Sequence, residues 1–171
     1  LGRLPIFPTI YTRSGMTDFY TDRIIKTLGF PFVAKELATQ RGKGVYKVSS
    51  IDDLKNLPVK DSRGGENQYM FQKFTHIEHE YRLLVLGDNV RVWEEKIVSG
   101  KDEFRHNIAL GATEKFLKIG EIPSGLALAA VRAAKALNLQ VAGVDIAIEK
   151  GTGKIFLIEV RFNIILSEIV I

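Results

Sequence analysis

The stretch from residue 141 to residue 160, VAGVDIAIEKGTGKIFLIEV, constrains the fold more than any other part of the chain. It predicts two apolar strands joined by a short Gly-Thr-Gly turn, because glycine readily adopts the positive φ that tight hairpin loops require. Apolar residues occupy both faces of the two strands, which is typical of a central, buried hairpin. We therefore expect the fold to be organised around this hairpin.

Two carboxylates, Asp145 and Glu159, interrupt the apolar run. A three-residue loop at residues 151–153 would place Lys150 opposite Lys154 and, further along the ladder, Asp145 opposite Glu159. Opposed side chains have Cβ atoms roughly 5 Å apart, so two like charges there repel each other. Because a buried carboxylate is costly unless it is paired or binds a metal, a cation is expected between them. Either Mg²⁺ shared with substrate phosphates or a buried ion pair with an arginine or lysine meets that need.

The composition is that of a soluble globular chain. Of the 171 residues, 46% are hydrophobic and 26% are charged, which suffices for a sizeable core in one domain or two small ones. No apolar run approaches the length of about 20 residues that spans a membrane, and no signal segment opens the chain. The absence of cysteine excludes disulfides and thiolate metal sites and fits a cytoplasmic protein.

The net charge of +4 fits either a nucleic-acid surface or a cleft lined with Lys and Arg for phosphates. No basic run with interleaved aromatic residues occurs, so nucleic-acid binding is not expected. The three histidines, His76, His79 and His106, lack the spacing of zinc ligands. The sequence contains no signature of a nucleophilic triad either.

The remaining pattern predicts a mixed order of helices and strands. Helices are predicted over residues 17–28 and within residues 122–139, with Ser124 as the N-cap of the second, and a capping box of Ser50 and Asp53 opens a short third helix. Strands are predicted over residues 30–35, 45–48, 69–74, 81–86 and 90–96, the last two forming a hairpin. This order favours the α+β class with antiparallel sheets over a doubly wound parallel fold.

The polar segment of residues 60–67, KDSRGGEN, predicts a subdomain boundary because it contains two adjacent glycines. We therefore expect a small subdomain over residues 1–67 and a core subdomain over residues 68–171.

Several polar residues outside the hairpin are candidates for phosphate contacts. Lys35 ends an apolar strand just before a loop with Gly42 and Gly44, whose backbone N–H groups could cradle phosphate oxygens, although most such loops are simply turns. Arg82 lies two residues after Glu80, on the same face of a predicted strand. Arg105 and Asn107 lie in a polar loop. Each of these also fits a surface ion pair or a solvated loop.

Six segments, taken in order, resemble the ATP-grasp superfamily and are closest to its RimK-like branch of carboxylate–amine ligases, which includes ribosomal-protein glutamate ligases. They are FPFVAKELATQRGKGV, MFQKF, EHEYRLLVLGD, EFRHNIALG, VAGVDIAI and LIEV. The resemblance implies an ATP-grasp fold, in which two α+β subdomains with antiparallel sheets enclose ATP. It also implies an enzyme that uses ATP with Mg²⁺ or Mn²⁺ and joins a carboxylate and an amine of amino acids or peptides. In that reaction an acyl phosphate forms and ADP is released.

The resemblance implies a role for each matching residue. Lys35 would contact the phosphates of ATP, under a lid that contains Thr39, Gln40, Gly42 and Gly44. The strand beside adenine would contain Gln72, Lys73 and Phe74, and Glu80 would bind the ribose. Arg82, Arg105 and Asn107 would face the phosphates and the acyl phosphate. Asp145 and Glu159 would hold the metal.

The sequence departs from the family pattern at Arg161, where the family usually has the Asn that completes the metal site. Two residues after Glu159 on a strand, Arg161 points to the same face and could pair with Glu159 and Asp145. This departure favours an alternative function, a nucleotide-binding regulatory domain with an altered metal site and no turnover. A purely structural domain would leave the carboxylate pair unexplained.

The family's N-terminal domain is not recognisable in this chain, so we expect it to be only part of an active enzyme. The apolar residues 164–171, IILSEIVI, favour a contact with another domain or with a second copy in a homo-oligomer.

Overall fold

The computed structural model describes residues 4–37, 39, 44–97 and 113–162. The elements follow the order β1 (Thr9–Arg13), α1 (Thr17–Leu28), β2 (Phe32–Glu36), β3 (Val45–Val48), α2 (Ile51–Lys55), β4 (Gln68–Lys73), β5 (Ile77–Leu86), β6 (Asn89–Ile97), β7 (Thr113–Phe116), α3 (Ser124–Ala136), β8 (Val141–Glu149) and β9 (Ile155–Arg161). The strands pair antiparallel in two sheets, so the predicted α+β class is confirmed. No helix in the described ranges is both long enough and apolar enough to cross a membrane.

The chain divides into two compact units. One is Phe7–Thr75, here the N-terminal unit, and the other is His76–Ile171 together with Leu1–Ile6, here the C-terminal unit. The division lies later than the boundary expected after residue 67. The reason is that β4 pairs with both β1 and β2 and therefore belongs to the sheet of the N-terminal unit.

The N-terminal unit is a four-stranded sheet in the order β1-β4-β2-β3, with α1 and α2 packed on one face. Its buried core consists of Ile24, Leu28, Phe32, Ala34, Val48, Leu54, Tyr69 and Phe71. Helix α1 has the predicted bounds and ends at Gly29, whose φ of 68° is accessible to glycine. The capping box also forms as predicted, because the Asp53 N–H donates to Ser50 Oγ and the Ser50 N–H donates to Asp53 Oδ2.

The C-terminal unit is a five-stranded sheet in the order β7-β6-β5-β8-β9. Helix α3 covers one face through small side chains such as Ala130 and Ala133, which pack against Leu83, Val144 and Ile146. Because side chains alternate between the two faces of a strand, the neighbours of these apolar residues point to the opposite face. That opposite face carries the charged residues described below.

Two predictions, one about the start of α3 and one about the place of the β8–β9 hairpin in its sheet, are wrong. Ser124 is the first residue of α3 and not its N-cap, since Pro123 takes the cap position and no side chain caps the helix. The β8–β9 hairpin is not central, because β9 is the last strand at one end of the described sheet.

The loop of the β8–β9 hairpin also differs from the predicted one. Glu149 and Lys154 form the last backbone pair, so the loop has four residues and Lys150 does not face Lys154. The register then shifts between Asp145 and Ile146, where β9 accommodates one additional residue, Ile158. This shift restores the predicted pairing of Asp145 with Glu159.

Candidate active site

Four charged residues form one row across the face of the five-stranded sheet that lies opposite α3. Arg82 on β5 lies opposite Glu94 on β6 and opposite Asp145 on β8. Asp145 in turn lies opposite Glu159 on β9. We call these four residues the charged row. The sheet register therefore places Asp145 opposite Glu159, as the sequence predicts, and adds Arg82 and Glu94 to the same row.

Asp145 is the most buried member of the row, with only 2% of its surface exposed. Arg82 donates from Nε to Oδ1 at 2.9 Å and from Nη2 to Oδ2 at 3.2 Å, and Lys96 donates from Nζ to Oδ2 at 2.8 Å. Burial by itself would raise the pKa of Asp145, but the hydrogen bonds and charges of Arg82 and Lys96 hold the pKa below its ordinary value of 3.8. Asp145 is therefore an ionised carboxylate at neutral pH.

Lys96 connects Asp145 to a second buried carboxylate. Its ammonium donates to Glu80 Oε1 at 2.5 Å as well as to Asp145. Lys96 and Glu80 are each 6% exposed, so this bridge is almost fully removed from water. Charge-assisted hydrogen bonds of this kind compensate for the burial of both ions.

Glu159 lies in a more open environment than Asp145. Its side chain is 49% exposed and accepts a hydrogen bond from Arg161 Nη2 at 2.9 Å. This hydrogen bond raises the pKa of Arg161 further above its already high value. The predicted pairing of Arg161 with Glu159 is thus observed.

The cation expected beside the two carboxylates is supplied here by the protein. Arg82 and Lys96 contact Asp145, and Arg161 contacts Glu159. Among the described residues, no three metal-ligating side chains come together in one group. Two opposed carboxylates nevertheless fit a Mg²⁺ ion that takes its other ligands from phosphates and water, which is the usual way this ion is bound.

In the N-terminal unit, Lys35 lies on the sheet face opposite α1. Its Nζ donates to Gln72 Oε1 at 2.7 Å, and Gln72 Nε2 donates to Thr9 Oγ1 at 3.4 Å. Lys35 and Gln72 therefore lie within contact of each other, and a neutral amide orients the lysine. Thr9 joins this chain of contacts without having been singled out from the sequence.

The base of the predicted lid is a compact turn. The Glu36 N–H donates to the Gly44 carbonyl at 2.8 Å, and Thr39 Oγ1 donates to the Glu36 carbonyl at 3.1 Å. Tyr46 donates to Glu36 Oε1 at 2.8 Å, and burial, together with this contact, raises the pKa of Tyr46 to about 12. Gln40 and Gly42 in this lid, and Arg105 and Asn107 elsewhere, lie outside the described residues.

The end of β4 is the predicted adenine-binding strand. The Lys73 N–H already donates to the Pro8 carbonyl at 3.1 Å, so this N–H is engaged within the N-terminal unit. Lys47 Nζ lies 4.5 Å from the centre of the Phe74 ring, a cation–π contact.

The sequence matches the protein-family model of the RimK-like ATP-grasp domain over residues 11–170. The chain belongs to the RimK-like ATP-grasp family. It is 31% identical over 131 residues to a probable alpha-L-glutamate ligase of Chromohalobacter salexigens. The matched region covers 75% of this chain and 42% of that protein.

Solved structures show the same fold at lower sequence identity. The RimK-like domain is similar to a D-alanine–D-alanine ligase from Bacillus anthracis, with a TM-score of 0.69, 18% identity, and coverage of 93% of this chain and 52% of the other. It is also similar to the ATP-grasp ligase PsnB complexed with the precursor peptide PsnA2 and AMPPNP, with a TM-score of 0.66, 19% identity, and coverage of 95% and 46%. The chain thus spans about half the length of these proteins.

Sequence reasoning missed two buried residues of the RimK-like domain, Lys96 and Glu94. Both alternate with Trp93 and Glu95 on β6 and therefore share the face that carries Arg82. Pairing the predicted β5–β6 hairpin residue by residue was the signal that could have found them.

Proposed function

We propose that this domain binds ATP and uses it to join a carboxylate to an amine. A carboxylate oxygen of the substrate attacks the γ-phosphorus, the bond to the β–γ bridging oxygen breaks, and ADP leaves behind an acyl phosphate. The amine nitrogen then attacks the acyl carbon, inorganic phosphate leaves, and the nitrogen loses a proton to give an amide. The observation that carries this proposal is the ionised, buried Asp145 beside Arg82 in a chain of the RimK-like ATP-grasp family.

Arg82, Arg105 and Asn107 would contact the transferred phosphate and the acyl phosphate. Asp145 supports this role of Arg82, because two hydrogen bonds hold the planar guanidinium in one orientation. Phosphoryl transfer depends mainly on positioning and charge neutralisation, so a fixed guanidinium contributes directly to the rate.

Further residues would contact the nucleotide itself. Lys35 would neutralise phosphate charge beneath the lid, and its contact with the Gln72 amide orients the ammonium. Glu80 would accept a hydrogen bond from the ribose. The remaining residues proposed to contact ATP are Thr39, Gln40, Gly42, Gly44, Gln72, Lys73 and Phe74.

Asp145 and Glu159 would hold Mg²⁺ or Mn²⁺. When bound there, such an ion supplies neutralisation of the charge on the phosphate oxygens. The opposed register of the two carboxylates supports this assignment.

The substrates would be amino acids or peptides. A relative that is named a glutamate ligase makes glutamate the first amino acid to test. The similarity to PsnB, complexed with a precursor peptide, makes a peptide the second kind of substrate to test.

Positional isotope exchange tests acyl-phosphate formation without requiring the amine. ATP is labelled with heavy oxygen in the β–γ bridge and incubated with the protein, Mg²⁺ and a panel of amino-acid and peptide carboxylates. We expect the label to move into non-bridging β positions only when a suitable carboxylate is present, because reversible cleavage lets the β-phosphate rotate. Binding of ATP without label movement for any carboxylate would contradict turnover in this chain.

The alternative function, a regulatory nucleotide-binding domain, is favoured by one observation, the contact of Arg161 with Glu159. If Arg161 takes the place of a metal ion, Arg161→Asn should raise the affinity for Mg²⁺ in the presence of ATP. An unchanged or lower affinity would remove the support for this alternative.

A further inference from the structure

Lys96 is a buried cation that contacts Asp145, one of the two carboxylates that the proposed function assigns to a metal. It is 6% exposed, and it reaches Asp145 from β6, two strands away from β8 in the sheet. An ammonium group removed from water needs anionic partners, and here it donates to the carboxylates of both Glu80 and Asp145. Lys96 therefore has a fixed position determined by two anions.

The same contacts limit what else can bind to Asp145. Oδ1 accepts from Arg82, and Oδ2 accepts from both Arg82 and Lys96. A divalent ion on Oδ2 would have to displace the Lys96 ammonium, because two cations on one carboxylate oxygen repel each other strongly at low dielectric. Glu159 by itself offers a single negative charge, its side chain is half-exposed, and it is already paired with Arg161.

We propose that Lys96 is a positioning residue that keeps Asp145 neutralised by the protein, so that a divalent ion enters the site together with ATP and not before it. This inference rests on the proposed function, since it assigns Glu80 to the ribose and Asp145 to the metal. Lys96 links the two carboxylates, so a nucleotide that engages Glu80 also disturbs the contact that occupies Asp145. The ATP phosphates then offer the ammonium new anionic acceptors.

The test measures binding of Mn²⁺ to the nucleotide-free chain from the electron paramagnetic resonance signal of free Mn²⁺. We expect the parent protein to leave submillimolar Mn²⁺ free. Lys96→Met should increase the Mn²⁺ affinity by about tenfold or more, the scale on which groups that contact a metal ligand change metal affinity. Lys96→Arg should behave like the parent, because it restores the charge.

Lys135→Met is the matched control. Lys135 is an exposed lysine of the same unit, paired with Asp88 at 2.6 Å. It lies on α3, which covers the sheet face opposite the charged row, so its loss removes one positive charge away from that row. Its Mn²⁺ affinity should equal that of the parent, which separates a local effect of Lys96 from a change in net charge.

Loss of a buried cation between two carboxylates also threatens folding, so a second variant is needed. Lys96→Met combined with Glu80→Gln removes one charge of each sign, and it should bind Mn²⁺ more tightly than Glu80→Gln alone. The inference is overturned if folded Lys96→Met binds Mn²⁺ no better than the parent, or if the nucleotide-free parent already binds Mn²⁺ at micromolar concentration. Absence of ATP binding to the parent would instead overturn the proposed function, whatever the Mn²⁺ result.

Discussion

Asp145 illustrates how a single residue depends on its neighbours for its charge. Removing an ion from water costs several kcal/mol, and that cost is offset only by well-aligned partners. Asp145 has three hydrogen bonds from two cations, and its pKa stays low despite burial. The charge at this position is therefore set by Arg82 and Lys96, and neither of these residues is adjacent to it in sequence.

Gly44 at the base of the lid is expected to resist substitution for two reasons. Its φ is +64°, and a Cβ there would lie 2.6 Å from Thr39 Oγ1 and 2.8 Å from Glu36 Oε2. Gly153 has a nearly equal φ of +66° but no atom within 4 Å of such a Cβ. Gly153→Ala should cost about 1–2 kcal/mol because a Cβ is strained at positive φ, and Gly44→Ala should cost more. Denaturant unfolding of both variants measures the difference, and equal losses would contradict the turn described at Gly44.

Tyr46 provides a residue-scale expectation about alkaline pH. Its pKa is raised to about 12 in the folded chain, above the ordinary 10.0, by burial and by its contact with Glu36. A raised pKa contributes stability that is fully present below pH 10 and is lost as the pH rises towards the folded value. Between pH 10 and about pH 12, the free energy of unfolding should fall more steeply with rising pH in the parent than in Tyr46→Phe. Identical slopes would contradict this account of Tyr46.

At the scale of elements, helix α3 is fitted to the sheet by small side chains. Ala130 is completely buried against the sheet core, whereas Ala136 at the end of the same helix is exposed. Extra methylenes in a packed core typically cost 1–3 kcal/mol, so Ala130→Leu should lower the free energy of unfolding by about that amount. Ala136→Leu, the matched control, should change it little. A small effect at both positions would mean that α3 packs loosely on the sheet.

The elements that the sequence predicts well are those determined by local patterns. Helix α1 and the Ser50–Asp53 capping box depend on residues within one or two turns, and both form as expected. The β8–β9 hairpin shows the limit of such reasoning, since the predicted loop was wrong and the pairing of Asp145 with Glu159 was right. A register shift at Ile158 compensated for the loop, and spacing alone does not reveal such a shift.

The site was predictable only in part, because local patterns identify some of its residues and not others. Asp145 and Glu159 stand out because each charge interrupts an apolar strand. Lys96 and Glu94 were missed because β6 is rich in charges, although pairing the predicted β5–β6 hairpin would have placed both on the face of Arg82. The contact of Lys96 with Asp145 requires in addition that β8 lies beside β5. Long-range pairing of strands determined what local patterns left open.

For the whole molecule, the family and the fold are established, and the activity is a proposal. The family match covers residues 11–170, and the chain is about half as long as its relatives. The binding of ATP is the central claim, because the roles of Lys35, Arg82 and Asp145 all depend on it.

Calorimetric titration of ATP into the chain, with and without Mg²⁺, tests that claim most directly. We expect micromolar binding that Mg²⁺ strengthens, and a loss of about tenfold or more in Lys35→Ala, since hydrogen bonds to charged groups contribute about 1.5–3 kcal/mol. Lys55→Ala, which removes an exposed lysine of the same unit, should bind like the parent. No binding by the parent, or equal binding by the parent and Lys35→Ala, would contradict the account.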